Sequence, residues 1–197
     1  MRELIVATRN KGKIREIKDL LKDFDLKITS LLDYPNLPQI EEDGKTFNQN
    51  ALKKAATIAM CTRQLTLGED SGLEVKALQN QPGVYSARFS GNGATDKKNN
   101  LKLLKFLRKV PFKKRQARYR SAAALADKKG IVGLVSGSCQ GLIAMKSKGK
   151  NGFGYDSLFL VSKYKKTFGE LDLEIKSKIS HRAMALKKIK KILKRYL

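Results

Sequence analysis

The sequence predicts an α/β protein with a mixed central β-sheet flanked by helices, because two hydrophobic periodicities alternate along the chain. Short apolar runs suited to buried strands, such as residues 4–7 and 65–67, are followed by segments whose apolar residues recur every three or four positions. Strands and helices interleaved throughout the chain favour a layered α/β arrangement. A chain of 197 residues can bury its core within one folding unit, so we expect a single domain over residues 1–197.

The N-terminal segment predicts a strand, a polar turn and a helix. Leu4–Ala7 is apolar, Thr8–Lys13 is polar, and from Ile14 apolar residues recur at helical spacing. The start of a helix offers unpaired backbone N–H groups and the positive end of the helix dipole, which suit a phosphate group. The turn lacks the first glycine of a Walker A loop, and an ordinary strand-to-helix turn is the alternative interpretation.

A second helix is predicted to start after Thr46, because Thr46 and Gln49 have the spacing of a capping box. Asn50 and Lys54 lie four positions apart and therefore share one face of this helix. That face is a candidate for ligand contact, and the alternative for Lys54 is a lysine in solvent.

The adjacent carboxylates of Glu69 and Asp70 follow the apolar strand 65–67 and precede a predicted Ser-Gly turn, after which residues 73–75 are expected to return as a strand. Carboxylate oxygens at the end of a strand are typical ligands of a hard divalent cation. An acidic surface turn is the alternative. The chain has 42 Lys and Arg against 18 Asp and Glu, which favours a functional use for two neighbouring carboxylates.

The second half of the chain predicts further strands and helices. Thr95 is a candidate cap for a helix with Leu101, Leu104 and Leu107 on its buried side and with Leu103 and Phe106 widening that side. Strand patterns cover 117–125, 131–136 and 139–144. The glycine-rich loop 148–156 contains Phe153 and Tyr155, which either stack on a base or belong to the core. A final helix over 181–197 is expected to bury Leu186, Ile189, Leu193 and Leu197. It begins with His181 and Arg182, whose positive charges oppose the helix dipole and indicate an anionic or polar ligand nearby.

The composition limits the classes of partner. A net charge of +24 permits nucleic acid, anionic lipid or phosphorylated small molecules, and compositional bias is an alternative origin for it. No apolar run approaches the roughly 20 residues that span a membrane, so no membrane partner is expected. The N-terminus has no secretory pattern, and Cys61 and Cys139 form neither a disulfide framework nor a zinc pattern. We therefore expect a cytoplasmic protein.

Taken together, the motifs resemble those of the inosine/xanthosine triphosphate pyrophosphatase family, nearly from end to end. The segments that carry the resemblance are 7–13, 41–47, Asn50-Ala51, 69–73, 82–89, 94–96, 152–156 and 179–182. The resemblance implies an elongated two-lobed fold around a central nucleotide-binding cleft, a homodimer, and Mg²⁺ as cofactor.

Site residues follow from the resemblance position by position. Asp70 matches the acid/base residue and a metal ligand, and Glu41 matches a second metal ligand with Glu42 or Glu69 close by. The residues that match triphosphate-binding positions are Thr8, Arg9, Asn10, Lys11, Gly12, Lys13, Asn50, Lys54 and Ser71. The residues that match purine-binding positions are Phe153, Gly154, Tyr155, Asp156, Lys176, His181 and Arg182. Most relatives have Asp where this chain has Glu69.

The implied reaction is hydrolysis of dITP, ITP or XTP, the purine nucleoside triphosphate substrates, to a nucleoside monophosphate and pyrophosphate. A related pyrophosphatase acting on modified pyrimidine nucleotides is the alternative enzyme. A basic nucleic-acid-binding protein using residues 113–120 and the C-terminal helix ranks below both, because it leaves the acidic clusters and the loop 153–156 unexplained.

Overall fold

A mixed, open sheet of seven strands is the central feature of the computed structural model, which describes residues 2–197. The strands are β1 (Arg2–Val6), β2 (Leu26–Ser30), β3 (Leu65–Val75), β4 (Gln116–Asp127), β5 (Gly130–Ile143), β6 (Phe159–Val161) and β7 (Lys166–Thr167). They are ordered β2-β1-β3-β4-β5-β6-β7. β1 is parallel to β2 and β3, whereas β5, β6 and β7 pair antiparallel. The predicted α/β class with a mixed sheet is confirmed.

Five α-helices accompany the described strands. They are α1 (Lys11–Leu21), α2 (Phe47–Thr62), α3 (Asp96–Phe106), α4 (Leu173–Ile179) and α5 (His181–Tyr196). The capping box of Thr46 and Gln49 is present at the start of α2, and the Thr95 side chain accepts a hydrogen bond from the Lys98 N–H at the start of α3. Both predicted helix starts are therefore confirmed. No helix within residues 2–197 is long and apolar enough to cross a membrane.

The chain divides into two compact units. The first comprises Met1–Asp70, Ser121–Gly137 and His181–Leu197, and the second comprises Ser71–Arg120 and Ser138–Ser180. That the whole chain behaves as one domain with two lobes stays a prediction.

The first unit has a helical layer on each face of its strands. Alternate residues of β1 belong to two different hydrophobic clusters. Leu4 and Val6 pack with α1 and α5, while Ile5 packs with Ile58 of α2. This follows from the period of two that side chains have along a strand. The second unit has its own core, in which Phe159 and Phe168 stack with ring centroids 5.1 Å apart.

One turn predicted from the sequence is wrong. Instead of a Ser-Gly turn and a return strand, β3 continues without interruption from Leu65 to Val75. Gly72 does not have a positive φ. Within residues 2–197, β1 pairs with only Leu65–Leu67 of β3, and β4 is the other neighbour of β3 in the sheet, so pairing within the sheet favours extended backbone along β3. Glu69 and Asp70 consequently lie in the interior of a strand rather than in a turn.

Smaller errors concern helix faces and short elements. Leu101 is 59% exposed and Leu197 is 43% exposed, so neither belongs to the buried stripe predicted for its helix. Leu103 is buried on α3 as predicted, whereas Phe106 is 48% exposed. The short elements β2, β6, β7 and α4 were not predicted, since two to seven residues carry too little periodicity to identify them.

Candidate functional site

Two buried carboxylates at the centre of β3 organise the candidate site in the first unit. Glu69 is 1% exposed and Asp70 is 3% exposed. Because adjacent side chains on a strand point to opposite faces, Glu69 lies toward α1 and α5, whereas Asp70 lies toward α2.

Glu69 is surrounded by donors. Its carboxylate lies 3.1 Å from Arg182 Nη2 and 3.0 Å from Lys13 Nζ, and it accepts a 2.7 Å hydrogen bond from Ser121 Oγ. Burial by itself would raise the pKa of the Glu69 carboxyl, but the Arg182, Lys13 and Lys54 cations outweigh burial and hold the pKa well below its usual range. Glu69 is therefore an ionised centre that holds cations from α1 and α5 in place.

Asp70 has a different environment. Its Oδ2 accepts a 2.8 Å hydrogen bond from Asn50 Nδ2. Burial raises the pKa of the Asp70 carboxyl above its usual value, and the Lys13 and Lys54 cations offset this only in part. A carboxyl with a raised pKa can take up a proton during a reaction, and its oxygens can hold a hard cation.

The predicted phosphate loop, residues 8–13, covers part of the connection after β1 and the first turn of α1, because the helix begins at Lys11 rather than after Lys13. The Asn10 side chain accepts a hydrogen bond from the Lys13 N–H and so caps the helix. Burial would lower the pKa of the Lys13 ammonium, but the carboxylates of Glu69 and Asp70 outweigh it and raise the pKa. Lys13 is thus held charged at the start of a helix.

The acidic segment 41–43 pairs with lysines of α2. Lys54 Nζ lies 2.6 Å from Glu42, and Lys53 Nζ lies 2.7 Å from Asp43. Glu41 is exposed. Within residues 2–197 there is no cluster of three or more His, Cys, Asp or Glu side chains arranged to hold a metal ion. Glu41 and Asp70 as joint metal ligands therefore stay a prediction.

Arg182 at the start of α5 is 1% exposed and lies between two carboxylates of its own chain. It pairs with Glu16 of α1 as well as with Glu69. These carboxylates account for a buried cation at a helix N-terminus, where the sequence alone indicated a ligand. His181 beside it is 3% exposed.

In the second unit, Asp156 is the centre of the candidate purine loop. Its Oδ2 lies 2.5 Å from Lys176 Nζ and accepts a 2.9 Å hydrogen bond from the Phe153 N–H. Lys176 Nζ also lies 5.1 Å from the centre of the Phe153 ring. The structure thus brings together three residues that the sequence placed in one group.

Tyr155 belongs to the core of the second unit. It is 3% exposed, and its hydroxyl donates a 2.8 Å hydrogen bond to the Ser86 carbonyl. Burial raises the pKa of this hydroxyl well above its usual value. Of the two aromatic side chains in the loop, the half-buried Phe153 is the one that is accessible to a ligand. Ser71, also in the second unit, is half-buried.

Two residues that sequence reasoning missed hold this loop. Asp96 accepts a 2.6 Å hydrogen bond from the Gly154 N–H, and Asn100 Nδ2 donates a 3.0 Å hydrogen bond to the Gly154 carbonyl. Asp96 and Asn100 lie four residues apart on α3, so side chains from one face of the helix hydrogen-bond to both peptide groups of Gly154, whose φ is 63°. A cavity of about 410 Å³ lies between this loop and α3. The Thr95 cap was the available signal, because it places Asp96 in the first helical turn.

The arginines of segment 113–120 are held by the chain itself. Arg115 is 2% exposed and donates to the backbone carbonyls of Leu107, Val110 and Ala144. Arg118 and Arg120 pair with Glu74. Three of the five cations in this segment therefore have partners within the chain, whereas Lys113 and Lys114 are exposed.

Comparison with known proteins agrees with these observations. The family model described as Ham1 family matches residues 4–192. The chain belongs to the Ham1 family.

Relatives in the Ham1 family cover nearly the whole chain. The dITP/XTP pyrophosphatase of Desulforamulus reducens is 50% identical over 193 residues, which are 98% of this chain and 96% of the relative. The dITP/XTP pyrophosphatase of Geobacter sulfurreducens is 49% identical over 190 residues, 96% of each chain. The family predicted from the motifs is confirmed.

Solved structures of Ham1 proteins share the fold. The HAM1 protein of Coxiella burnetii has a TM-score of 0.88 at 36% identity, with 99% of this chain and all of that chain covered. The Staphylococcus aureus Ham1 protein has a TM-score of 0.87 at 33% identity and covers both chains completely.

Proposed function

We propose that this Ham1-family protein hydrolyses non-standard purine nucleoside triphosphates, namely dITP, ITP and XTP, to the nucleoside monophosphate and pyrophosphate. The dITP/XTP pyrophosphatases that align with almost all of the chain support the reaction. Within this chain, the observation that carries the proposal is the buried Asp70 carboxyl. Its pKa is raised although the cations of Lys13 and Lys54 act on it. A proton acceptor beside fixed positive charge suits attack of water on a phosphoanhydride.

The residues proposed to bind the triphosphate come from the segment after β1, from α2 and from β3. Residues 8–13, with Asn50, Lys54 and Ser71, supply backbone N–H groups, an amide, a hydroxyl and cations for its oxygens. Lys13 and Lys54 stabilise the charge that develops on the phosphate oxygens as the bond breaks. Glu69 holds Lys13 and Arg182 in position and stays ionised throughout.

Asp70 would accept the proton of the attacking water. Its raised pKa brings its proton affinity closer to that required at neutral pH than an exposed aspartate would have. Asn50 orients the carboxylate by donating to Oδ2.

The donor set also fits Mg²⁺. Asp70 and Glu41 offer hard carboxylate oxygens, and a divalent cation beside Asp70 offsets the cost of its buried charge. When bound by these two residues, magnesium would neutralise part of the phosphate charge.

The base would be selected by residues of the segment 153–156, of α4 and of α5. Phe153 offers a ring face for stacking, and the Lys176 ammonium, a hydrogen-bond donor, lies 5.1 Å from the centre of that ring. A donor meets an acceptor in a 6-oxopurine but another donor in the 6-amino group of adenine, and the unpaired group costs about 1–3 kcal/mol. The other proposed purine-binding residues are Gly154, Tyr155, Asp156, His181 and Arg182.

We further propose a cytoplasmic homodimer. Cys61 and Cys139 are free thiols, in keeping with a reducing compartment. Light scattering of the purified protein tests the dimer, and a mass of one chain at micromolar concentration would refute it.

The decisive experiment measures pyrophosphate release from ITP, XTP, dITP, GTP and ATP with Mg²⁺. Fast release from the first three, largely lost in Asp70→Asn, is the expected result. Lys176→Met should narrow the preference for ITP over ATP. Release only from modified pyrimidine nucleotides would favour the alternative pyrophosphatase, and no release from any nucleotide by folded protein would refute the enzyme.

A further inference from the structure

A second, larger cavity lies in the first unit, away from Asp70. Its volume is about 970 Å³, near the upper end of the roughly 300–1,000 Å³ of ligand pockets. Leu65 at the start of β3 lines it, whereas Asp70 lies five residues along the same strand, or about 17 Å at the rise of a β-strand. Arg2 at the start of β1 lines it too, whereas the phosphate loop follows the end of β1.

Cations from four separate segments surround this cavity, which we name the basic cavity. They are Arg2, Lys27, Arg63, Lys128 and Lys129. Within residues 2–197, Lys27, Arg63 and Lys128 form no ion pair shorter than 4.0 Å and are exposed. The cavity therefore has positive charge available for a ligand.

The two carboxylates in the wall of the basic cavity offset only part of this charge, because five cations and two carboxylates leave a net charge of +3. Glu3 accepts hydrogen bonds from Thr29 and Tyr34, at 2.8 and 2.6 Å. Asp127 accepts a 2.6 Å hydrogen bond from Tyr196 and a 2.7 Å hydrogen bond from the Lys129 N–H. Concave surfaces that carry one sign of charge concentrate counter-ions of the other sign.

We propose that the basic cavity binds a short polyphosphate chain at a site separate from the one proposed for catalysis. Several cations converging on one concavity suit a compact anion with several charges, and Arg63 can bind phosphate oxygens through two parallel hydrogen bonds. A single-stranded nucleic acid would need a groove with aromatic side chains for stacking. Tyr196 is the single aromatic residue among the described residues that line the basic cavity, which is too few for successive bases to stack.

Titration calorimetry with inorganic tripolyphosphate in metal-free buffer tests this site. The wild-type protein should bind two equivalents. The variant Lys27→Gln/Arg63→Gln/Lys128→Gln should bind one, with affinity at the second site reduced more than about tenfold by the loss of three charged donors. Since all three residues are exposed, the variant should keep its melting temperature and its pyrophosphatase activity.

A control variant that removes the same charge elsewhere distinguishes a defined binding site from nonspecific electrostatic attraction. Lys187→Gln/Lys191→Gln/Lys194→Gln removes the same charge from the exposed face of α5 and should leave two equivalents bound. Equal losses in both variants would overturn the proposal, as would two equivalents in the cavity variant.

Two further titrations identify the ligand. ATP tests whether a nucleoside triphosphate supplies the phosphate chain, and retention of the second site for tripolyphosphate alone would indicate a free polyphosphate. A 20-nucleotide DNA that loses affinity in the cavity variant, while tripolyphosphate binding is unchanged, would replace the proposal with a nucleic-acid surface. If the site proposed for catalysis does not bind tripolyphosphate, the wild type should bind one equivalent and the cavity variant none. The loss of one equivalent in the cavity variant therefore tests the basic cavity whether or not the protein hydrolyses dITP or XTP.

Discussion

The two adjacent carboxylates on opposite faces of β3 have pKa values that are shifted in opposite directions. On the α1 and α5 face, Glu69 is enclosed by Arg182, Lys13 and Ser121, and its pKa lies well below the usual range. On the α2 face, Asp70 is equally buried, but Asn50 is the donor that the structure places on its Oδ2, and its pKa is raised. Burial alone therefore does not decide ionisation. The balance between burial and nearby cations decides it: Lys13 and Lys54 act on both carboxylates, whereas Arg182 pairs with Glu69. One face is therefore suited to stability and the other to proton transfer.

The largest expected effect is on activity. Asp70→Asn should lower pyrophosphate release from ITP by between about 10² and 10⁴, the range of a general base. The same substitution should raise the free energy of unfolding. Burial disfavours the ionised Asp70 in the folded protein, and the neutral amide removes that cost. Kinetics and thermal melting at pH 7 measure both. An unchanged rate, or a clearly lower melting temperature, would contradict the assigned contrast.

Glu69→Gln should show the reverse pattern, with stability as its main effect. Removing this charge leaves Arg182 and Lys13 buried with fewer partners, and breaking a buried pair costs about 3–5 kcal/mol. Urea unfolding measures the loss. Lys53→Gln, which breaks the exposed pair with Asp43, is the control and should cost no more than about 1 kcal/mol.

Acid should unfold the wild-type protein through the same group. The folded pKa of Glu69 is depressed, so its stabilisation is complete above the ordinary value of 4.5 and is lost as the pH falls through the lower folded pKa. Unfolding free energies measured between pH 5 and pH 2 should fall more steeply for wild type than for Glu69→Gln. Parallel curves would show that Glu69 is not held ionised by its neighbours.

The smallest effect concerns a single hydrogen bond. Ser121→Ala removes the 2.7 Å donor to Glu69 and should cost about 1.5–3 kcal/mol, because the acceptor is charged. Ser162→Ala, at an exposed position, should stay within about 0.5 kcal/mol. If the two variants unfold at the same urea concentration, Ser121 contributes nothing to the difference between the faces.

Sequence reasoning succeeded where the signal is local. Thr46 and Thr95 mark helix starts because a capping side chain reaches only two or three residues along the chain. It failed at Ser71-Gly72, where the residue types favour a turn but neighbouring strands impose extended backbone. The same limit explains why Asp96 and Asn100 were missed, since their contact with Gly154 joins segments more than fifty residues apart.

The sequence by itself determined the α/β class, the main helices and the motifs that identify the Ham1 family. Hydrophobic periodicity, capping residues and the order of the motifs depend only on the order of residues along the chain. The tertiary structure alone decided which cations surround each carboxylate. Arg182 meets Glu69 only after α5 has packed beside α1 and β3, and Asn50 meets Asp70 only from the other face. A pKa depends on the charges and donors that lie close in space, and the chemistry of these two neighbours therefore followed from packing.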